Sequence, residues 1–359
     1  MPRDYFCELS ARQAKMGHKV DVVTWKKNGG PSELGMPEGF VVHRLPGVNL
    51  GMEEAIQEYP YLPSLPAKME KLKPEVVHVE SHLFLTAFQA VRKATRLGLA
   101  SVVTVHGVSV KRGALINLAQ STYLHSLGLK TLREADRVVC LTRSDAVEIE
   151  KLGCPSSKIS LVPNAVDTEL FKPREGREDN LVVWIGRFVP EKGVEYLLEA
   201  ARIVAKKSPT VKFLLIGYGP LREKIVKMAV DYRLLGKQVA ITGPLTRAEI
   251  AQVLCKATIF ALPSLSEGMP LALLEAMSSG NAVVASDVGG IAEIVRNYDN
   301  GMLSSPGNAK ELASSILMLL CDDGLRGKLA RNAREAVEKE HSWGSVLAQL
   351  DSVYESIRG

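Results

Sequence analysis

The sequence predicts an α/β protein with two doubly wound, Rossmann-like domains whose parallel sheets face each other across a cleft. Short β-branched runs alternate with longer helical patterns along the whole chain. Such alternation with apolar strands implies parallel sheets that are covered by helices on both faces. At 359 residues the chain is long for one domain and comfortable for two. A charged segment at 167–180, which contains Pro and Gly and lacks apolar periodicity, separates the two alternating halves.

Each half supplies its own set of strands and helices. Strands of the first half are expected at 20–25, 40–44, 76–80, 101–106, 138–142 and 159–163, with helices at 83–97 and 144–152. Strands of the second half are expected at 181–185, 211–216, 239–242, 258–262 and 282–286, with helices at 194–207 and 271–279. We therefore expect a first domain at 1–166, a hinge at 167–180 and a second domain at 181–341. The last helical segment, 342–357, could pack back on the first domain.

Composition narrows the class of protein. A hydrophobic content of 46% and a charged content of 24% are those of a globular protein. No apolar run approaches the roughly 18 residues that span a membrane. The net charge of +5 comes without clusters of basic and aromatic residues, so no nucleic acid is expected as a partner, whereas a sugar nucleotide or a lipid headgroup would fit. Five cysteines without metal-ligand spacing predict reduced thiols and a cytoplasmic protein, with a peripheral membrane contact left open.

The first motif combines glycines and cations at a strand end. Gly186 and Arg187 follow the strand at 181–185, and Lys192 and Gly193 open the next helix. A glycine lets the backbone approach a ligand closely, and the two cations can neutralise a diphosphate. The amino terminus of the helix adds partial positive charge. Two solvated cations beside a turn would give the same pattern, so this motif alone leaves both interpretations open.

The second motif is a pair of carboxylates, with Glu267 in a loop and Glu275 on the second turn of the following helix. Carboxylates accept hydrogen bonds from hydroxyls and therefore suit a polyol. Free backbone N–H groups at 268–271 can hold phosphate or sugar oxygens. Alternatively, Glu267 is a helix-start charge and Glu275 a surface residue. The apolar neighbours of Glu275 disfavour that alternative, because a carboxylate among them is costly without a partner.

Further candidates lie at other predicted strand ends. His106 precedes Gly107 at the end of the strand at 101–106, whereas His78 and His82 near another strand end are not assigned a role. Gly217 belongs to a glycine pair that does not complete the dinucleotide fingerprint G-x-G-x-x-G, because Arg222 stands at the third glycine position. The sequence contains no Asp-x-Asp pair, so we expect no metal-held diphosphate.

Together these residues resemble the family 4 retaining glycosyltransferases of the GT-B fold. The match is close over 161–295 and looser towards both ends. It rests on Pro163-Asn164-Ala165-Val166-Asp167, the Gly-Arg and Lys-Gly pairs, the two glutamates, and the run from Glu275-Ala276-Met277 to Glu293.

The resemblance implies a role for each matching position. Arg187 and Lys192 would bind the diphosphate of a nucleotide sugar. Glu267 would bind hydroxyls of the transferred sugar and, with His106, count as catalytic, while Glu275 would bind the ribose. The other implied donor-binding positions are Gly186, Gly217, Gly268, Met269 and Leu271.

The function that the resemblance implies is transfer of a sugar from a nucleotide diphosphate sugar to an acceptor hydroxyl. The anomeric configuration would be retained, and neither a metal ion nor a cofactor other than this co-substrate would be needed. The acceptor, a sugar, a lipid or a small molecule, is not identified. The alternatives are a non-catalytic sugar-nucleotide-binding protein and a GT-B epimerase, which would lack the glutamate pair. A phosphorylase would need a pyridoxal-bearing lysine and a much longer chain.

The chain departs from the family pattern at its start. Family members open with a strand and a Gly-Gly loop before the helix that leads to Gly17, and here Met1 begins that helix. The strand at 20–25 would then be the second of its sheet, and the central strand would be missing. We therefore expect a gap in the first sheet, or a segment that fills it. We also expect that the chain as given is unstable or inactive and is restored by an upstream extension.

Overall fold

The structure is a computed structural model that describes residues 2–26, 31–36, 39–49, 60–107 and 122–358. The chain forms two compact units. The first unit contains Met1–Cys140, Ala146–Ser160 and Gln349–Gly359, and the second contains Leu141–Asp145 and Leu161–Ala348.

The segment 167–180, expected to be a hinge, lies within the second unit. Two anchors that carry no periodic signal hold it there. The Phe171 side chain is fully buried, and the Arg177 guanidinium donates to the carbonyl oxygens of Ala257 and Ser279 at 2.7 and 2.8 Å.

Strands of the first unit lie in separate sheets among the described residues. The three-stranded sheet has the order β1-β3-β2, with β1 (Asp21–Trp25), β2 (Glu33–Gly35) and β3 (Val41–Leu45). The four-stranded sheet has the order β6-β7-β8-β9, with β6 (Val76–Glu80), β7 (Ala100–Val105), β8 (Arg137–Cys140) and β9 (Ile159–Leu161). The short strands β4 (Val48–Asn49) and β5 (Pro60–Tyr61) pair antiparallel. Because β1 and β6 belong to different sheets, the expected upstream strand stays a prediction.

The first unit contains five helices among the described residues. They are α1 (Pro2–Lys15), α2 (Leu65–Leu72), α3 (Leu85–Leu97), α4 (Leu129–Glu134), which follows a π-helical turn at Leu124–Gly128, and α5 (Arg143–Lys151). Strand β7 is buried from its second residue onward, as expected for a parallel strand covered on both faces. The fully buried Val91 of α3 belongs to the same core as Val103 and Val105 of β7.

The second unit contains a six-stranded parallel sheet of order β12-β11-β10-β13-β14-β15. Its strands are β10 (Leu181–Arg187), β11 (Lys212–Tyr218), β12 (Val239–Thr242), β13 (Ile259–Leu262), β14 (Ala282–Ser286) and β15 (Met302–Ser304). Counted from β10, this is the 3-2-1-4-5-6 order of a Rossmann fold. The helices are α6 (Val194–Lys207), α7 (Arg222–Asp231), α8 (Arg247–Lys256), α9 (Leu271–Ser278), α10 (Ile291–Ile294), α11 (Ala309–Cys321), α12 (Asp323–Glu340) and α13 (Trp343–Glu355).

The central strand β10 is buried on both faces. Val182 and Trp184 belong to one hydrophobic cluster, which α6 and α11 complete. Val183 and Ile185 point to the opposite cluster, which α9 and α12 complete. Burial of each such side chain stabilises the fold by roughly 1.5–3 kcal/mol, so the core anchors the strand whose carboxyl end carries the loops described below.

The end of α13 belongs to the first unit. The Tyr354 hydroxyl accepts a hydrogen bond from Gln13 Nε2 at 3.0 Å and lies 2.7 Å from His78 Nδ1. Among the helices of the described ranges, none is long and apolar enough to cross a membrane.

Candidate active site

The predicted donor-binding residues gather where the strand order of the second sheet reverses. The segments that follow β10 and β13 leave this edge towards opposite faces of the sheet, which opens a crevice between them. After β10 a short 3-10 turn, Pro190–Lys192, leads into α6, and after β13 the loop 263–270 leads into α9. The Leu265 N–H donates to the Glu191 carbonyl at 2.8 Å and joins the two segments.

Lys192 and Glu267, which come from separate sequence motifs, meet in this crevice. Lys192 Nζ lies 2.5 Å from Glu267 Oε1, and the Ser264 hydroxyl donates to the same oxygen at 2.7 Å. The side chains are 20% and 8% exposed, so solvent screens this ion pair only in part. The pair therefore places a cation and an oriented carboxylate side by side, which suits a ligand with both an anionic group and hydroxyls.

Arg187 adds a second cation at the end of β10. Its side chain is half-buried and makes no hydrogen bond or ion pair with any residue in the described ranges. A guanidinium carries five N–H donors and binds phosphate oxygens well. Unlike Lys192, Arg187 is therefore not committed to a protein carboxylate.

Glycines bring the backbones of neighbouring loops into contact at this edge. Gly186 and Gly217 are paired on β10 and β11, and a Cβ on Gly217 would lie 1.8 Å from the Gly186 carbonyl oxygen. A Cβ on Gly193, which has a φ of +57°, would lie 2.0 Å from the Pro263 carbonyl oxygen. Gly217, part of an incomplete fingerprint in the sequence, thus has a packing role that only glycine can fill.

The glycine pair that precedes α10 packs in the same way. A Cβ on Gly289 would lie 2.1 Å from the Glu267 carbonyl oxygen, and one on Gly290 would lie 2.1 Å from that of Gly268. The backbone of the loop that carries Glu267 is therefore held against the turn after β10 on one side and against the turn after β14 on the other.

Backbone amides at the start of α9 face no acceptor of their own. Within the described part of the chain, the N–H groups of Gly268, Met269 and Leu271 donate no hydrogen bond. Asn164 anchors this loop, since its N–H donates to Met269 Sδ at 3.0 Å and its side-chain amide to the Met269 carbonyl at 2.9 Å. Unpaired amides at a helix start attract anions and hydroxyl oxygens.

Glu275 is buried rather than displayed on the surface. Its side chain is 8% exposed, and Arg247 Nε lies 3.9 Å from Oε1. Thr246 and Glu249 form a capping box that fixes the start of α8, so Arg247 is held in the first turn. The Arg247 guanidinium also lies over the Phe171 ring, 5.4 Å from its centroid. Arg247 supplies the partner that a carboxylate among apolar side chains requires.

His106 lies in the first unit, immediately after β7. Its Nε2 is 2.7 Å from Glu80 Oε2, and its ring packs edge-on against Phe6 with 5.5 Å between centroids. Burial opposes ionisation of Glu80, but the imidazoles of His78 and His106 lower the pKa of this carboxyl below its ordinary value. Sequence reasoning missed Glu80. The available signal was that β6 and β7 are adjacent strands whose carboxyl ends align, with Glu80 opposite Thr104.

The two histidines that received no role differ in their surroundings. His78 contacts the Tyr354 hydroxyl and Thr104 Oγ1, each at 2.7 Å, and burial lowers its pKa. His82 is fully buried, and neither of its ring nitrogens has a hydrogen-bond partner among the residues that the structure describes. Burial lowers the pKa of His82 to about 4, so this ring is neutral at pH 7.

Family models match two consecutive parts of the chain. The model described as Glycosyltransferase Family 4 matches residues 4–170, and the one described as Glycosyl transferases group 1 matches residues 166–336. The chain belongs to the family 4 glycosyltransferases. The resemblance inferred from the Gly-Arg, Lys-Gly and glutamate motifs is thereby confirmed.

Relatives of this glycosyltransferase act on different molecules, as their names state. A phosphatidylinositol N-acetylglucosaminyltransferase subunit from Arabidopsis thaliana is 27% identical over 97% of this chain and 76% of its own length. The glycogen synthase of Mycobacterium tuberculosis strain H37Rv is 27% identical over 79% of this chain and 69% of its own length.

Solved structures confirm the GT-B fold with its two Rossmann-like domains. Sucrose-phosphate synthase from Thermosynechococcus elongatus superposes with a TM-score of 0.81 at 21% identity, covering 99% of this chain and 93% of that one. Anabaena HepE, solved in complex with UDP and glucose, superposes with a TM-score of 0.79 at 18% identity, covering 98% and 95%.

The close approach of Gly193 to Pro263 predicts an unusually costly alanine substitution. Gly193→Ala must adopt a left-handed φ, at about 1–2 kcal/mol, and must also displace a backbone carbonyl. Gly236→Ala is the matched control, because its φ is +72° but its Cβ would meet nothing within 4 Å. We expect Gly193→Ala to lower the free energy of unfolding in urea clearly more than Gly236→Ala does. Equal losses would contradict the backbone contact between the two loops.

Proposed function

We propose that this glycosyltransferase moves a sugar from a nucleoside diphosphate sugar to an acceptor hydroxyl, with retention of the anomeric configuration and without a metal ion. The observation that carries the proposal is the Lys192–Glu267 pair at the reversal of strand order, beside unpaired amides. A diphosphate sugar presents an anion and hydroxyls next to each other, and this is the combination that the pair can bind.

The diphosphate is the group that Lys192 and Arg187 suit best. Arg187 ends β10 and Lys192 follows it, and the amides of Gly268, Met269 and Leu271 lie at the start of α9 across the crevice. Charge-assisted hydrogen bonds from such groups are stronger than those between neutral partners. HepE, which shares the fold, has been solved with UDP-glucose, and this supports a nucleotide sugar as the donor.

The two glutamates would bind the sugars on either side of the diphosphate. Glu267 already touches Lys192, so a hydroxyl of the transferred sugar reaches it when the adjoining phosphate reaches the lysine. Glu275, held against Arg247, would accept hydrogen bonds from the ribose hydroxyls. In this arrangement the donor replaces part of the existing Lys192–Glu267 contact with its own phosphate and hydroxyl.

The proposed chemistry relies on stabilising the leaving group. The bond from the anomeric carbon to the diphosphate oxygen breaks, and negative charge develops on that diphosphate. Lys192, Arg187 and the amides at α9 would stabilise the developing charge. The acceptor oxygen bonds to the same face of the sugar while the departing phosphate oxygen takes the acceptor proton, which retains the configuration. In the first domain, His106 would contact the donor sugar.

Loss of either cation should weaken donor binding. We expect Arg187→Ala and Lys192→Ala each to raise the Kd for the nucleoside diphosphate by about 10- to 150-fold, the equivalent of roughly 1.5–3 kcal/mol. The probe is whichever of UDP, GDP and ADP raises the melting temperature most, and calorimetry gives its Kd. Lys224→Ala, which removes an exposed lysine of α7, is the control and should leave the Kd unchanged.

The melting temperatures of the same variants should show that Arg187 and Lys192 differ in their contribution to stability. Arg187→Ala should melt as the wild type does, whereas Lys192→Ala should melt lower because it leaves the shielded Glu267 carboxylate without its cation. An unchanged Kd in both variants would contradict the assignment of these residues to the diphosphate.

Stereochemistry and metal dependence test the mechanism. We expect the first-formed product to keep the anomeric configuration of the donor, as read by proton NMR before mutarotation. Activity should also survive EDTA, because no Asp-x-Asp pair is available to hold a metal-bound diphosphate. An inverted anomer, or complete loss of activity on chelation that added metal restores, would refute this mechanism.

A further inference from the structure

Glu80 and His106 form a directional contact at the carboxyl edge of the first domain. Glu80 ends β6 and His106 follows β7, so the two side chains come from adjacent parallel strands. Glu80 Oε2 and His106 Nε2 are 2.7 Å apart, and the side chains are 26% and 27% exposed. The contact is therefore only partly shielded from solvent.

The contact fixes which nitrogen of His106 carries a proton. Burial opposes ionisation of Glu80, but the neighbouring imidazoles keep its pKa below the ordinary value, so the group is a carboxylate at neutral pH. An ionised carboxylate can only accept hydrogen bonds. His106 Nε2 must therefore be the donor, and in the neutral ring Nδ1 is left with a lone pair.

A second set of hydrogen bonds holds Glu80 itself. Gln13 Nε2 donates to the Tyr354 oxygen, which keeps the Tyr354 hydroxyl proton available for His78 Nδ1 at 2.7 Å. When His78 Nδ1 accepts that proton in a hydrogen bond, His78 Nε2 carries the ring N–H, which lies 2.7 Å from Thr104 Oγ1 and 3.8 Å from Glu80 Oε1. The two oxygens of Glu80 thus face two imidazole N–H groups, and the carboxylate has little freedom to rotate.

We propose that Glu80 is a positioning residue, which holds His106 in the Nε2-protonated tautomer so that Nδ1 accepts a hydrogen bond from a hydroxyl of the bound sugar. The proposal rests on the proposed function, in which His106 contacts the donor sugar. The packing of Phe6 against the His106 ring supplies a steric constraint in addition to the hydrogen bond. Glutamine at position 80 would offer both an N–H donor and a carbonyl acceptor, and would no longer select one tautomer.

The tautomer is measured directly in the full chain labelled with 15N-histidine. In long-range 1H–15N spectra at pH 7.5, we expect the neutral wild-type His106 ring to show the pattern of Nε2 protonation. Glu80→Gln and Glu80→Ala should shift the ring nitrogen signals towards those of a tautomer mixture. Glu70→Gln, which removes an exposed carboxylate paired with Lys93 of α3, should leave the His106 signals unchanged. A wild-type ring protonated on Nδ1, or signals unaffected in both Glu80 variants, would overturn the proposal.

The kinetic test uses consumption of the nucleotide sugar by the same variants. We expect Glu80→Gln to lower kcat by about 10- to 100-fold with a donor KM within about twofold of the wild type, and Glu80→Asp to recover part of the loss. Circular dichroism and melting confirm that the near-isosteric glutamine variant is folded. A lost tautomer preference with unchanged kcat would refute a role in the reaction.

His106→Ala separates this proposal from the proposed function. Full activity of His106→Ala would remove His106 from the reaction and with it the role of Glu80, even if the spectra show that Glu80 selects the tautomer. If the wild-type protein instead binds no nucleoside diphosphate, the proposed donor is contradicted. The spectroscopic test of Glu80 remains valid in that case.

Discussion

Backbone contact between loops at the carboxyl edge of the second sheet is the constraint on which the proposed donor site depends. Gly193 meets the carbonyl of Pro263, and Gly289 meets that of Glu267, at separations where a side chain would collide. Loops packed in this way cannot drift apart without losing contact along the main chain itself. The constraint therefore fixes the turn that bears Lys192 and the loop that bears Glu267 relative to the sheet. A preorganised site of this kind binds its ligand without a large ordering cost.

Because the two loops are held in place, the Lys192–Glu267 pair is suited to ligand binding. A shielded ion pair is weak evidence for stability, because the desolvation of both charges offsets much of their attraction. The Lys192–Glu267 pair lies where the strand order reverses, next to amides without acceptors. This position favours a role in ligand binding rather than in stability. A diphosphate sugar offers the lysine a better anion and the glutamate a neutral hydroxyl. In the first domain the same logic holds for Glu80, whose carboxylate orients an imidazole rather than stabilising a fold.

Local sequence patterns predicted the fold and the candidate residues, but not their contacts. The strands at 76–80, 239–242 and 282–286 lie where apolar runs placed them. Lys192 and Glu267 were each recognised beside a strand end. Their contact follows only from the pairing of β10 with β13, which periodicity along the chain does not encode. Glu80 was missed for the same reason, since its role depends on the register of β6 against β7. Segment 167–180 lacks apolar periodicity because one buried side chain, Phe171, and the hydrogen bonds of Arg177 hold it in place.

The most direct test of the account is an experimental structure of the protein with a bound nucleoside diphosphate. We expect the terminal phosphate to lie within hydrogen-bond distance of Lys192 Nζ and of an amide at 268–271, and the ribose hydroxyls to contact Glu275. We also expect Lys192 Nζ to turn from Glu267 towards the phosphate. A nucleotide bound away from the β10–β13 crevice, with the Lys192–Glu267 contact intact, would contradict it.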